Sequence, residues 1–135
     1  MNEIVVFDTS ILIGNQRSAS HSERIAAHPG RIRNSTVVLA ELWRGATLAA
    51  ERKFVSELQA SRPLLTPTEK SWLESGQILA AIRADKGFEP AKLRDLHFDV
   101  LIALTARSHG ATLITSNRAD FEVIHAYCSF KLEIW

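Results

Sequence analysis

A chain of 135 residues, 46% hydrophobic and 23% charged, fits one domain over 1–135, large enough to bury about two-thirds of its unfolded surface. A formal net charge of +1 excludes a nucleic-acid binder recognisable by bulk charge, although the basic residues of the first half are mostly arginines (Arg17, Arg24, Arg31, Arg33, Arg44, Arg52, Arg62), which suit phosphate or simply a solvated surface. One cysteine, Cys128, excludes an intrachain disulfide and disfavours Cys-based zinc, no run approaches the ~20 apolar residues of a membrane span, and Met1-Asn2-Glu3 carries no basic leader, so a cytoplasmic setting is expected.

Ile4 to Phe7 is a continuous apolar run that predicts a strand buried on both faces. Asp8-Thr9-Ser10 ends it and caps a short helix through Ile13. Gly14 to Ser22 reads as a loop, Ser22 to Ala27 as a short helix, and Arg31 to Asn34 as a second strand. Ser35 or Thr36 caps a helix through Val37, Leu39, Leu42 and Ala46, and Ala49 to Ala60 continues helical after or through a kink. Pro63-Leu64-Leu65 suggests a brief strand. Thr66, Pro67 and Glu69 predict the start of a helix whose apolar face is Trp72, Leu73, Ile78, Leu79 and Ile82, broken by Gly87 and Pro90. The clearest helix runs from Asp95 to His109, with Gly110 placed as a C′ glycine. Ala111 to Thr115 is a buried strand, Asn117 to Phe121 a short helix, and Lys131 to Trp135 a last strand. This alternation predicts a three-layer α/β domain with a mostly parallel sheet.

Four acidic or amide positions lie at or within apolar runs: Asp8, Glu41, Asp99 and the Asn117/Asp120 pair. In open parallel sheets, ligands bind beyond the carboxyl ends of the strands, where several of these positions fall. Two carboxylates about 6 Å apart repel by roughly 3 kcal/mol at an effective dielectric of ~20. Four ionised neighbours make six such pairs, more than a small domain's stability of about 5–15 kcal/mol. Protonation or a divalent cation relieves this, and an oxygen-only site favours Mg²⁺ or Mn²⁺. Such ions suit phosphodiester hydrolysis.

Each acid also has a plainer structural role open to it. Asp8 can cap a helix, and Glu41 can pair with Arg44 at i, i+3. Asp99 in a first turn can favour the helix dipole, and Asp120 can be a turn residue. Their joint placement argues for a site.

The segments Phe7-Asp8-Thr9-Ser10-Ile11-Leu12-Ile13, Leu39-Ala40-Glu41-Leu42-Trp43-Arg44-Gly45-Ala46, Asp99 through Ala106 to Gly110, and Leu113-Ile114-Thr115-Ser116-Asn117-Arg118-Ala119-Asp120-Phe121 together resemble PIN-domain nucleases. Their order, spacing and the total length resemble the VapC toxins of toxin–antitoxin pairs. The resemblance implies a PIN-like α/β/α sandwich and a Mg²⁺- or Mn²⁺-dependent endoribonuclease. It implies metal ligation and catalysis by Asp8, Glu41, Asp99 and Asp120, with Asn117 as a neutral orienting group and Thr9 and Thr115 beside the metal. Arg44 and Arg118 are the arginines expected to hold RNA phosphates. Homodimers and a VapB-like antitoxin are implied as well. The tail departs from the family, ending at Leu132-Glu133-Ile134-Trp135 without a longer, proline-containing segment.

Other readings compete. A phosphatase of the haloacid-dehalogenase type wants a second Asp two residues after Asp8, where Ser10 stands. A catalytically silent PIN-like module that binds RNA or protein is the non-enzymatic alternative. The five histidines show no metal-like pairing on one helix face. Trp72 lies on an apolar stripe and is expected in the core, whereas Trp43, beside Arg44, is expected at an interface.

Overall fold

The computed structural model describes residues 3–135; Met1 and Asn2, part of the segment without a basic leader, lie outside the described residues, as do the side chains of Gln16 and Arg17. Five strands, β1 (Ile4–Phe7), β2 (Arg31–Ser35), β3 (Leu64–Leu65), β4 (Thr112–Thr115) and β5 (Lys131–Ile134), form one sheet in the order β3-β2-β1-β4-β5. Every pairing is parallel. Adjacent residues of a strand face opposite sides of a sheet, so the full burial of both Val5 and Val6, and of both Leu113 and Ile114, shows that the sheet is covered on both faces. This is the expected α/β/α arrangement.

Seven helices of the described residues connect the strands: α1 (Thr9–Ser18), α2 (Ser22–Ala27), α3 (Thr36–Gly45), α4 (Ala49–Ser61), α5 (Glu69–Lys86), α6 (Pro90–Ser108) and α7 (Arg118–His125). The chain builds β2 and β3 on one side of β1, then crosses through α5 and α6 to β4 on the other. The strand order therefore reverses between β1 and β4, which opens a crevice at their carboxyl ends. Register sets what meets there: Phe7 pairs with Ile114, so Asp8 follows beside Thr115.

Several boundaries differ from expectation for physical reasons. Helix α1 runs through Gly14 to Ser18 instead of stopping at Ile13, because a single glycine costs only about 1 kcal/mol inside a helix. Helix α5 starts at Glu69, and its cap is Thr68, whose hydroxyl accepts the Ser71 N–H, rather than Thr66. Trp72 and Leu73 do not join its buried face; they are 52% and 69% exposed. The buried face is Ser71, Ser75, Ile78 and Ile82, a helical stripe in which two serines take places that hydrophobicity alone assigned to their neighbours. Gly87, at φ +65°, ends α5 as expected. Pro90 begins α6 at a first-turn position, where its missing N–H costs nothing. The helix thus starts five residues before Asp95, and its central residues Val100 to Ala106 are buried.

Candidate metal centre

Asp8 is the first residue beyond β1 and stands at the N-cap of α1, yet its side chain makes no capping bond. Its Oδ2 accepts the Thr115 hydroxyl at 2.7 Å and the Ser10 hydroxyl at 2.9 Å. The residue is 3% exposed, so these two donors hold a carboxylate that would otherwise be costly to bury. The loop after β4 is tied into the same knot. Ser10 Oγ accepts the Ser116 N–H at 3.2 Å, and Thr115 Oγ1 accepts the Asn117 N–H at 3.0 Å.

Glu41 is the sixth residue of α3, a helix capped by Ser35, which accepts the N–H groups of Val37 and Val38. Val37, Val38, Leu39 and Leu42 anchor α3 in the core and fix where Glu41 projects. Its Oε1 accepts the Thr9 hydroxyl at 2.8 Å. The i, i+3 partner Arg44 is present, but at 3.9 Å and with its own side chain mostly in solvent. Asp99 is the tenth residue of α6. That is well past the first turn, beyond the reach of a helix-dipole role.

These three acids come from three elements far apart in sequence, and their ligand atoms lie within 4.8 Å of one another. Desolvation, followed by repulsion from Asp8, Glu41 and Asp120, pushes the Asp99 carboxyl up to about 8, although Lys92 pulls the other way. Glu41 is raised too, chiefly by burial; the Thr9 hydroxyl opposes this, Asp8 adds to it, and Arg44 opposes it. The protein alone therefore does not balance the charge of its own acids.

The donor set fits a hard divalent cation. It is all carboxylate oxygen, with no imidazole or thiolate in the group. Ligand atoms that lie within 4.8 Å of one another would let Asp8, Glu41 and Asp99 share one such ion. A cleft of about 290 Å³ opens over the acids, and its walls include Asp8, Glu41, Asp95 and Asp99 together with Arg44 and Arg94. It can take an ion that keeps several waters, with guanidinium groups beside it for a phosphate.

The other expected residues divide. Thr9 and Thr115 orient the acids as just described, and Asn117 lines the cleft. Asn117 also caps α7, accepting the Asp120 N–H at 3.3 Å, and its Nδ2 donates to Asp120 Oδ2 at 3.2 Å. Asp120 is not among the three converging acids; its Oδ1 receives Lys92 Nζ at 2.7 Å. Arg118 is an exposed residue paired with Glu122 at 2.7 Å and is not part of the cleft wall.

Sequence reasoning did not pick out Ser10 as a ligand-orienting group, nor Lys92, Arg94, Asp95 and Phe98. Arg94, Asp95, Phe98 and Asp99 follow one helical face at i, i+1, i+4 and i+5, which was a usable signal. The partnership of Lys92 with Asp120, 28 residues away, had no local signal. A larger cavity of about 900 Å³ lies along α5 beside Leu73, Ile78 and Tyr127, but gathers no group of metal-ligating side chains among the described residues. His28, His97, His109 and His125 each hydrogen-bond within the fold, away from the cleft wall.

The PIN domain family model matches residues 5–126 of the chain. A chain of the DNA-bound VapBC from Salmonella typhimurium is similar at 25% identity with a TM-score of 0.70, covering 100% of this chain and 99% of that one. A chain of VapBC2 from Rickettsia felis, bound to a DNA fragment from their promoter, is 22% identical with a TM-score of 0.69, and 98% of each chain is covered. A chain of a toxin–antitoxin complex from Klebsiella pneumoniae is 20% identical with a TM-score of 0.58, over 87% of this chain and 89% of that one. The last two likenesses are of fold alone. No curated protein matches the chain.

Proposed function

The chain belongs to the PIN domain family, and we propose that it is a metal-dependent endoribonuclease, the toxin of a VapBC-type toxin–antitoxin pair. The observation that carries this reading is the convergence of Asp8, Glu41 and Asp99 within 4.8 Å in a cleft walled by Arg44 and Arg94. The likeness to a VapBC chain over the whole length supports the toxin assignment and, with it, a VapB-like antitoxin as partner; a homodimer belongs to the same proposal. Residues 1–135 act as one domain in this reading, in the cytoplasm; no helix of the described residues is long and apolar enough to cross a membrane.

The chain's own residues have separable tasks. Asp8, Glu41 and Asp99 hold a Mg²⁺ or Mn²⁺ ion. Thr115 and Ser10 fix the Asp8 carboxylate, and Thr9 fixes Glu41. Asn117 holds the start of α7 against the cleft through its cap. Arg44 and Arg94 grip phosphates of the RNA strand on either side of the scissile bond. The ion, when bound, supplies water acidified for attack and positive charge for the phosphorane-like transition state.

The test is incubation of purified, antitoxin-free protein with total cellular RNA, in Mg²⁺ or Mn²⁺ and in EDTA, beside Asp8→Asn. Discrete fragments that need both metal and Asp8 support the reading. A folded, metal-supplied protein that binds RNA without cutting it in either form favours the silent binding module instead.

A further inference from the structure

Asp120 stands apart from the three converging acids, and both its oxygens are taken by donors of the chain itself. Oδ1 receives Lys92 Nζ at 2.7 Å, and Oδ2 receives Asn117 Nδ2 at 3.2 Å. The Asn117 side chain also accepts the Asp120 N–H, so carboxylate and backbone are pinned together. Lys92 lies on α6, seven residues before Asp99, which places the two on one face of the helix two turns apart. Asn117 also lines the cleft that holds Asp8, Glu41 and Asp99, so its bond to Asp120 ties the Asp120–Lys92 pair to the wall of that cleft.

A centre with two divalent ions needs carboxylate oxygens on both sides of a shared ligand, with the ions about 3.5–4 Å apart. Here the acid that would serve the second ion already holds an ammonium group. That ammonium repels a divalent cation and neutralises the carboxylate that would attract it.

We infer that Lys92 is the built-in second cation of this centre: it occupies Asp120, so that the acids take one divalent ion, on Asp8, Glu41 and Asp99, instead of two. The inference rests on the metal-centre reading above, and it assigns Lys92 and Asp120 to charge balance and positioning, outside the metal's own ligands.

The test counts ions and needs no RNA. Mn²⁺ is titrated into the metal-free full chain, with free Mn²⁺ read by electron paramagnetic resonance and heat by calorimetry. Wild type binds one equivalent. Asp120→Asn keeps that equivalent, with affinity lowered by no more than the roughly 10–100-fold typical of an outer partner. Lys92→Gln, which frees Asp120, gains a second equivalent, and Lys92→Arg, which keeps the charge, returns to one. The melting of each metal-free variant shows that it is folded. Two equivalents in wild type overturn the inference, as does a folded Lys92→Gln with one equivalent at unchanged affinity. No Mn²⁺ binding by wild type overturns the metal-centre reading itself.

Discussion

Thr115 donates its hydroxyl to the Asp8 carboxylate at 2.7 Å, joining residues 107 positions apart. Asp8 is the first residue beyond the central strand, and Thr115 ends the strand beside it. The bond closes the point where the strand order reverses, and it places a buried anion at the head of the cleft. Thr115 itself is fully buried, so the hydroxyl has no water to fall back on.

Thr115→Val keeps the shape and removes that donor. Losing a buried hydrogen bond to a charged group costs about 1.5–3 kcal/mol. Mg²⁺ affinity is expected to fall roughly 10–100-fold, as for other partners that orient a metal ligand. Urea unfolding and calorimetric titration check the two effects separately; unchanged metal affinity would remove Thr115 from the site.

Metal-free stability should fall as pH rises from about 5 to 8. Asp99 ordinarily titrates at 3.8 and here at about 8, so over that window the folded state holds a proton that the unfolded state has released. Stability then decreases with pH, since the folded state binds more protons. The raised Glu41 carboxyl acts in the same sense. Glu74, lowered by its 2.7 Å bond with Arg107, has the opposite sign, but its contribution is lost only as pH falls through its folded pKa, below this window. Protons and metal compete for the same carboxylates, so Mg²⁺ should raise the melting temperature more at pH 8 than at pH 6. A metal-free melting temperature that climbs between pH 6 and 8 would contradict the cluster's electrostatics.

Asp99→Asn should separate stability from function. Amide in place of the most strained carboxyl relieves repulsion, so the metal-free protein is expected to melt at or above wild type at pH 8 while losing cleavage and metal-dependent stabilisation. Thermal scans with and without Mg²⁺, next to an RNA cleavage assay, read both sides. A variant that still cuts RNA at the wild-type rate would exclude Asp99 from the ligand set.

The two arginines picked out by sequence should behave differently. Arg44 lies on the cleft wall, its guanidinium over the Phe98 ring at 5.2 Å, whereas Arg118 is spent on Glu122. Arg44→Ala is expected to raise KM for RNA several-fold and to lower the salt slope of binding by about 1. Arg118→Ala should change neither. Binding isotherms at three salt concentrations decide the matter, and equal effects of the two substitutions would move the RNA track away from the cleft wall.

Ser35→Ala removes the cap of the helix that carries Glu41. Two N–H groups lose their acceptor, at an expected cost of about 0.5–2 kcal/mol. Loss of stability with intact Mg²⁺ affinity would mean that the core contacts of α3 alone position Glu41.

Much of this was legible in the chain itself. Ile4–Phe7 and Leu113–Ile114 are apolar without alternation, which already requires a sheet covered on both faces, and the acids at the ends of such runs cannot be there without a partner. Local signals also narrowed the α3 cap to Ser35 or Thr36, of which the structure uses Ser35, and marked Gly110, at φ +63°, as the residue after the end of α6. What only the tertiary structure decided is which groups neutralise which. Whether Asp99 begins a helix or sits inside one depended on Pro90, which both breaks and begins helices. That Trp72 is half exposed while Ser71 and Ser75 are inside depended on which face α5 turns to α6, where the two serines meet Ser108 and His97. The sorting of the acids, three sharing one cleft and the fourth held by Lys92, depended on strand order and on a contact across 28 residues. Charge acts through space over several ångströms, and sequence separation carries no information about that distance.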